Sequence, residues 1–371
     1  MKVGVLTSSR ADYGIYQPLL KMLEDDSFFE MEVIAFGAHL LERFGHTVDY
    51  IYKDGFRVVT VPDTMSNGDF PADIVKSMAA TMNVFSDFFN NNHYHLLFAL
   101  GDRYEIFGAV AATAPFNITV AHIHGGETTL GAIDNSFRHS ITCFSKYHFT
   151  SHEIYRTRVS EITGEYDHVY NVGALSIDNL KQLRLLSVHE FKELYNIDLN
   201  KPTILFTFHP ETVNYEKNKT YISEILNALK ILKHYQIIAT MPNADTMGIL
   251  IRNELIKAKS QIKNMITVES FGSLGYLSAM KHCSFMLGNT SSGFVEASYF
   301  SKPVLNLGAR QKGRIITSNI YSVPILTDEI IRSVKSIEKA DSIRQKPIYG
   351  SGNAASTIIK IIKEEFNLNQ E

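Results

Sequence analysis

Cysteine is nearly absent: Cys143 and Cys283 are the only two in 371 residues. They stand far apart and in no metal-like spacing, which argues against a disulfide framework and fits a reducing, cytoplasmic location. Long apolar runs are also missing. No stretch reaches the roughly 18 uninterrupted apolar residues of a membrane span. The opening MKVGVLTSS turns polar at Thr7, too soon for a secretory h-region. Charge of one sign is lacking, with a net of −3, so nothing electrostatic points to nucleic acid or a membrane surface as partner. There is no low-complexity tract, no internal period of a repeat protein, and no G-x-G-x-x-G dinucleotide fingerprint.

What is present is a soluble composition, 45% hydrophobic and 20% charged, in a chain long enough for two domains. Short apolar runs alternate with helical spacing throughout, which predicts βαβ units and parallel sheets. KVGVLT, MEVIAF, RVVTV, YHFTS and HVYNVG read as strands, 71–91 as a long helix, and 95–139, which opens HLLFAL, as two further strand–turn–helix units. Pro18 is expected in the first turn of the helix that follows the loop SSRADYG. The pattern restarts after Lys201-Pro202 with TILFTF, QIIATM, MITVES, SFMLGNT and KPVLNLG. Only short elements are expected from there to about 340, and then a final amphipathic helix. The expected domains are 1–178, 179–345 and a helix within 346–371 that packs back on the first domain. The expected fold class is α/β: two Rossmann-like, doubly wound domains facing a central cleft.

The stretch 95–139 is the densest in candidate chemistry. Asp102 in GDR, Glu127 in HIHGGE and Asp134 in GAIDNSFRH lie at strand ends or helix starts, where open α/β sheets bind ligands. Asp102 and Asp134 read equally as helix caps. Arg103 and Glu105 are expected to pair at the surface. His122, His124 and Glu127 do not make a familiar metal spacing, and no metal is expected. Arg10, in SSRAD, is a planar cation beside a loop of small residues. In the second half, His209 and Glu211 in FHPET follow a strand. Ser291, Ser292 and Gly293 in GNTSSGFVEAS sit where a strand gives way to a helix start, a site that favours phosphate. Glu296 lies about one turn further. Arg310, Lys312 and Arg314 in GARQKGR add positive charge.

Taken in order, SSRADYG, GDR, HIHGGE with GAIDNSFRHS, FHPET and GNTSSG-x-x-E resemble the UDP-N-acetylglucosamine 2-epimerases over about residues 1–365, and more closely their hydrolysing branch. The resemblance implies the two-domain GT-B architecture and a UDP-sugar substrate. It implies a homodimer or homotetramer and no cofactor. By position it makes Asp102, Glu127 and Asp134 acid/base carboxylates and His209 the histidine that stabilises departing UDP. Ser291, Ser292, Gly293 and Glu296 become phosphate and ribose contacts, and Arg10 and Arg314 nucleotide or diphosphate contacts. The implied reaction converts UDP-N-acetylglucosamine and water to N-acetylmannosamine and UDP through a 2-acetamidoglucal. A 2,4-diacetamido-2,4,6-trideoxy substrate, a GT-B glycosyltransferase and a silent nucleotide-sugar sensor are the alternatives. Three departures stand out: SSRAD for GTRAD, His124 where many members carry Glu, and GALSID at 173–178.

Overall fold

The computed structural model describes residues 1–243, 245–340 and 346–368. The sequence-placed boundary at 345 and residue 244 of the PNAD turn lie outside them. The chain divides into two compact units. Unit 1 comprises Met1–Glu127, Asp134–Lys181 and Tyr349–Glu371, and unit 2 comprises Thr128–Ile133 and Gln182–Ile348.

Unit 1 holds a seven-stranded sheet of β1 (Lys2–Thr7), β2 (Glu30–Ala35), β3 (Val58–Thr60), β4 (Leu96–Leu100), β5 (Val120–Ile123), β6 (Tyr147–Thr150) and β7 (Val169–Asn171). All pairings are parallel, in the order β3-β2-β1-β4-β5-β6-β7. Parallel strands are covered on both faces and therefore read as apolar runs. In β4, Leu96, Phe98 and Leu100 join one core while Leu97 and Ala99 join the core on the other face.

Unit 2 holds six strands: β8 (Thr203–Thr207), β9 (Gln236–Thr240), β10 (Met265–Val268), β11 (Phe285–Gly288), β12 (Val304–Leu307) and β13 (Ile320–Val323). Their order is β10-β9-β8-β11-β12-β13, again all parallel. Each sheet thus reverses direction between its first and fourth strands, and the crevice at that reversal is where open α/β sheets take ligands. In unit 1 the loops there follow β1 and β4; in unit 2 they follow β8 and β11.

Three local expectations are corrected. The first helix starts at Arg10, not near Pro18, and runs Arg10–Asp25 with Pro18 inside it. Proline cannot donate to the carbonyl four residues back, but that carbonyl, on Gly14, accepts from Asn179 Nδ2 at 2.7 Å, so nothing is left unpaired. After β12 the chain forms a sixth strand, β13, and a helix, Thr327–Lys339, rather than short elements. The stretch after Gly288 is a single 3₁₀ turn, Ser291–Gly293, followed by the four-residue helix Glu296–Tyr299. A macrodipole needs several aligned turns, so the anion-binding capacity of this loop rests on its individual donors.

The last helix, Ala354–Leu368, belongs to unit 1. Its Ile358 and Ile362 share a core with Leu19 and Leu23. Asp178, from the GALSID turn, accepts the backbone N–H groups of Ala354 at 3.0 Å and Ala355 at 2.8 Å, two of the donors a helix start leaves without partners.

Candidate active site

In unit 1 the site begins with backbone geometry. Gly101, just past β4, takes a left-handed φ of 76° and turns the chain so that Asp102 follows the strand end. Past β5, His124 has φ 64° and Gly126 φ 76°. A Cβ on Gly126 would lie 2.4 Å from the Tyr155 carbonyl oxygen, so only glycine lets the HIHGGE loop close down and seat Glu127.

Arg138 organises these groups. It lies one turn after Asp134 in the helix Asp134–Phe144, on the same face. The side chain is buried. Its guanidinium donates to Asp102 Oδ2 and, at 2.8 Å, to the His124 carbonyl, and stands 3.9 Å from Glu127 Oε2. Glu127 is itself only 2% exposed. Its Oε1 accepts from Ser151 Oγ at 2.7 Å and pairs with His124 Nδ1 at 3.2 Å. Asp134, half-buried, is the first residue of its helix. Asp102 and Glu127 are therefore gathered on one cation, and Asp134 shares that cation's helix.

His122 stands apart from this cluster. Its Nε2 is 2.8 Å from the Gly101 carbonyl and its Nδ1 3.1 Å from Thr142 Oγ1, so both ring nitrogens are engaged. Arg103 and Glu105 pair at 2.7 Å, but not at the surface as expected. Glu105 is fully buried, and burial pushes its carboxyl up despite the adjacent guanidinium. The reason is that Glu105 falls on the inward face of the helix Tyr104–Ala111. Arg10 is half-buried in the first turn of its helix, after the β1 loop. In the same first turn Asp12 accepts from Ser8 N at 2.7 Å and from Thr7 Oγ1 at 3.2 Å.

Unit 2 builds its loops differently. Gly288, at φ 135°, ends β11 so close to β8 that a Cβ would sit 1.8 Å from the Thr207 carbonyl oxygen. The next residue, Asn289, is buried; its Oδ1 accepts from His209 N and its Nδ2 donates to the His209 carbonyl, both at 2.7 Å. One amide side chain thus replaces a ladder pair and holds the His209 loop beside the serine loop. His209 Nδ1 in turn lies 3.4 Å from the backbone N–H of Asn243.

In the serine loop, Thr290 Oγ1 accepts from Ser292 N at 3.4 Å, and Ser292 Oγ lies 2.8 Å from the hydroxyl of Tyr276. Burial pushes that phenol up to about 12, and the charge of Glu296 adds to the shift. Gly293 is buried, and Ser291 is exposed on the same turn. The GARQKGR loop is braced from below: Glu211 Oε1 accepts from Ala309 N at 2.5 Å, and Arg310 pairs with Asp245 at 2.8 Å and donates to the Pro210 carbonyl. Arg310 is therefore committed to holding the loop. Arg314 Nε donates to Gln311 Oε1 at 2.6 Å, and Gln311 Nε2 donates to the Asn289 carbonyl at 2.8 Å.

The sequence reading missed Arg138, Ser151, Asn289 and Gln311. Ser151 and Asn289 each follow a strand end directly, so the same strand-end rule reaches them. Arg138 and Gln311 give no local signal, because their partners lie on other loops. Among the described residues no cluster of three or more His, Cys, Asp or Glu side chains is arranged to hold a metal ion.

The UDP-N-acetylglucosamine 2-epimerase family model matches residues 21–363. A polysialic acid biosynthesis protein P7 of Escherichia coli is 34% identical over 368 residues, covering 98% of this chain and 94% of that protein. A hydrolysing GDP/UDP-N,N'-diacetylbacillosamine 2-epimerase of Campylobacter jejuni is 36% identical over 327 residues, 87% of this chain and 84% of its own. Among solved structures, UDP-GlcNAc 2-epimerase from Neisseria meningitidis bound to UDP-GlcNAc superposes with a TM-score of 0.81 at 19% identity, covering 98% of this chain and 100% of that one. The fold is accordingly the GT-B-like pair of parallel-sheet α/β domains.

Proposed function

The chain belongs to the UDP-N-acetylglucosamine 2-epimerase family, and we propose that it is a hydrolysing member that converts UDP-N-acetylglucosamine and water to N-acetylmannosamine and UDP. The observation that carries this reading is the gathering of Asp102 and Glu127 on Arg138, with Asp134 one turn away on the same helix. Proton transfer at a carbon needs acid and base groups at hand, and no part of this cluster suits hydride chemistry. The hydrolysing assignment draws support from the Campylobacter jejuni relative, whose name states hydrolysis.

The hydrogen on C2 of the sugar is not acidic enough for direct removal. In the proposed reaction a carboxylate takes that proton as the C1–O bond to UDP breaks, and the electron pair forms the C1=C2 bond of 2-acetamidoglucal. UDP leaves with the electrons of the C1–O bond. A second carboxyl group then protonates C2 from the opposite face, and water, giving a proton to a carboxylate, adds at C1. Asp102, Glu127 and Asp134 supply the acid and base roles, a service worth about 10²–10⁴-fold in rate when the groups are well placed. His209, Arg314 and the donors of Ser291, Ser292 and Gly293 hold the departing diphosphate. Glu296 accepts from ribose hydroxyls, and Arg10 contacts the nucleotide.

A second reading, the same chemistry on a UDP-2,4-diacetamido-2,4,6-trideoxyhexose, is favoured by one specific observation, the substrate in the name of the 36%-identical relative. Proton NMR of the protein with UDP-N-acetylglucosamine in D2O separates these. Free N-acetylmannosamine carrying deuterium at C2, with UDP, is the expected result. Epimerised sugar still attached to UDP makes the protein a non-hydrolysing epimerase. Turnover of the diacetamido sugar alone establishes the second reading. Silence with both substrates overturns the proposal in favour of a transferase or a sensor.

A further inference from the structure

We propose that His124 is a positioning residue for Glu127: its Nδ1–H and the Ser151 hydroxyl together donate to Oε1, fixing the plane of the carboxylate and holding it in its charged form. The proposal rests on the reading of Glu127 as an acid/base group.

Four features converge on this. First, His124 holds φ 64°, a left-handed conformation uncommon for a residue with a Cβ, though histidine enters it more readily than most and His46 and His168 do so here too. Strain of this kind is kept at functional sites when the surroundings impose it. Here they do: its N–H donates to the Phe149 carbonyl at 2.9 Å, and its own carbonyl accepts from Arg138 at 2.8 Å. Second, that conformation brings Nδ1 to 3.2 Å from Glu127 Oε1, three residues on. Third, Ser151, from the end of β6, meets the same oxygen at 2.7 Å. Two donors from different strands converging on one oxygen set the rotation of the carboxylate; one donor alone would leave it free to swing. Fourth, His124 Nε2 is buried and has no hydrogen-bond partner among the described residues. A proton there would be stranded, so the tautomer with hydrogen on Nδ1, the one that serves Glu127, is the one the site accommodates.

Two cations also stand near Glu127: Arg138, which bridges to Asp102, and Arg158, whose guanidinium donates to the Gly126 carbonyl at 2.7 Å. Both cations remain when His124 is changed, so a substitution there tests the donor rather than the local charge.

The backbone supplies an unusually clean pair of variants. His124→Gly removes the donor and suits the left-handed backbone without strain. His124→Asn also suits it and keeps a donor, its amide nitrogen, near the position of Nδ1. A structural role would leave both variants close to wild type. The positioning role predicts that His124→Gly loses about 10- to 100-fold in kcat, the worth of a hydrogen bond to a charged group, with KM within about twofold. The acid limb of its kcat/KM–pH profile moves up by about one pH unit, because the charged carboxylate has lost a donor. His124→Asn restores both. Ser151→Ala shifts the limb in the same direction and serves if His124→Gly fails to fold.

Equal limbs in wild type, His124→Gly and Ser151→Ala overturn the proposal. So does an asparagine variant as impaired as the glycine variant. Carboxyl titration by NMR of protein labelled with ¹³C at glutamate Cδ, the Glu127 signal identified by its loss in Glu127→Gln, reads the same shift without turnover. If wild type acts on no UDP-sugar, the proposed reaction fails while this titration still decides the role of His124.

Discussion

The two sheets share one strand order through their first six strands, yet the loops at their reversal points carry different groups. Unit 1 presents Asp102 after β4 and Glu127 past β5, tied together by an arginine. Unit 2 presents a histidine after β8 and a run of hydroxyls after β11, tied together by the Asn289 amide. The same contrast runs through the interiors. Among the described residues unit 1 buries His39, His122, His124 and His148, and unit 2 buries only His209. One scaffold thus gathers two carboxylates on an arginine in one copy, and in the other sets a histidine and hydroxyls beside a loop braced by its own buried charges, Glu211, Asp245 and Arg310. The strand order sets where a site forms, and the loops set what it does.

The largest expected effect tests whether that division is functional. Glu127→Gln keeps shape and removes charge from unit 1. It is expected to lower kcat by about 10²–10⁴-fold, while UDP affinity by calorimetry stays within a few-fold. Ser292→Ala, in unit 2, is expected to weaken UDP binding about 5- to 10-fold, the worth of one neutral hydrogen bond. If Glu127→Gln weakens UDP binding as much as it slows turnover, the units do not divide the work.

The next effect concerns acid. Burial pushes the imidazoles of His39, His122 and His148 down to about 4, about 3 and about 4. All three belong to unit 1. An unfolded histidine titrates near pH 6.5, so below that the unfolded chain takes up protons that the folded unit refuses. The stabilisation is full above about pH 6.5 and declines as pH falls toward the folded values. At pH 5 each loses on the order of 2 kcal/mol, roughly 6 kcal/mol together, comparable to the whole stability of an ordinary domain. Glu105 and Asp178, whose buried carboxyls are pushed up, act in the opposite sense and reduce the slope. Denaturant unfolding at pH 7 and pH 5, with limited proteolysis to see which segments are cut, is expected to show unit 1 opening first at pH 5. Opening of unit 2 first would remove the buried histidines as the difference.

How much of this was legible in the sequence follows from the same physics. Strands buried on both faces announce themselves as apolar runs, and HLLFAL became β4 within one residue of the reading. β13 did not, because an edge strand is covered unevenly: in IYSV, Ile320 is buried while Ser322 is exposed. The helix Thr327–Lys339 was within reach, since Ile330, Val334 and Ile337 recur at helical spacing, but its charged intervening residues hid them. Pro18 misled because the rule about proline concerns the donor it lacks. The deciding fact was an acceptor for the orphaned carbonyl, Asn179, 165 residues away in sequence. In the site, Asp102, Glu127 and Asp134 were legible as carboxylates at turns. Arg138, which gathers two of them, was not, since nothing local marks an arginine within a helix as a bridge between two other loops.

The smallest effect separates the units by their ends. Asp178 takes two backbone N–H groups of the last helix, and those two bonds draw its carboxyl down against the burial that pushes it up. The capping loss in Asp178→Ala is about 1–2 kcal/mol. Because Ile358 and Ile362 stay buried against Leu19 and Leu23, the helix remains docked and its first turn frays. Amide exchange should therefore accelerate at 354–357, with the β8–β11 core unchanged. A variant whose exchange rises equally in both units would mean that the last helix supports the whole chain, and unit 1 could not be treated as closing on itself.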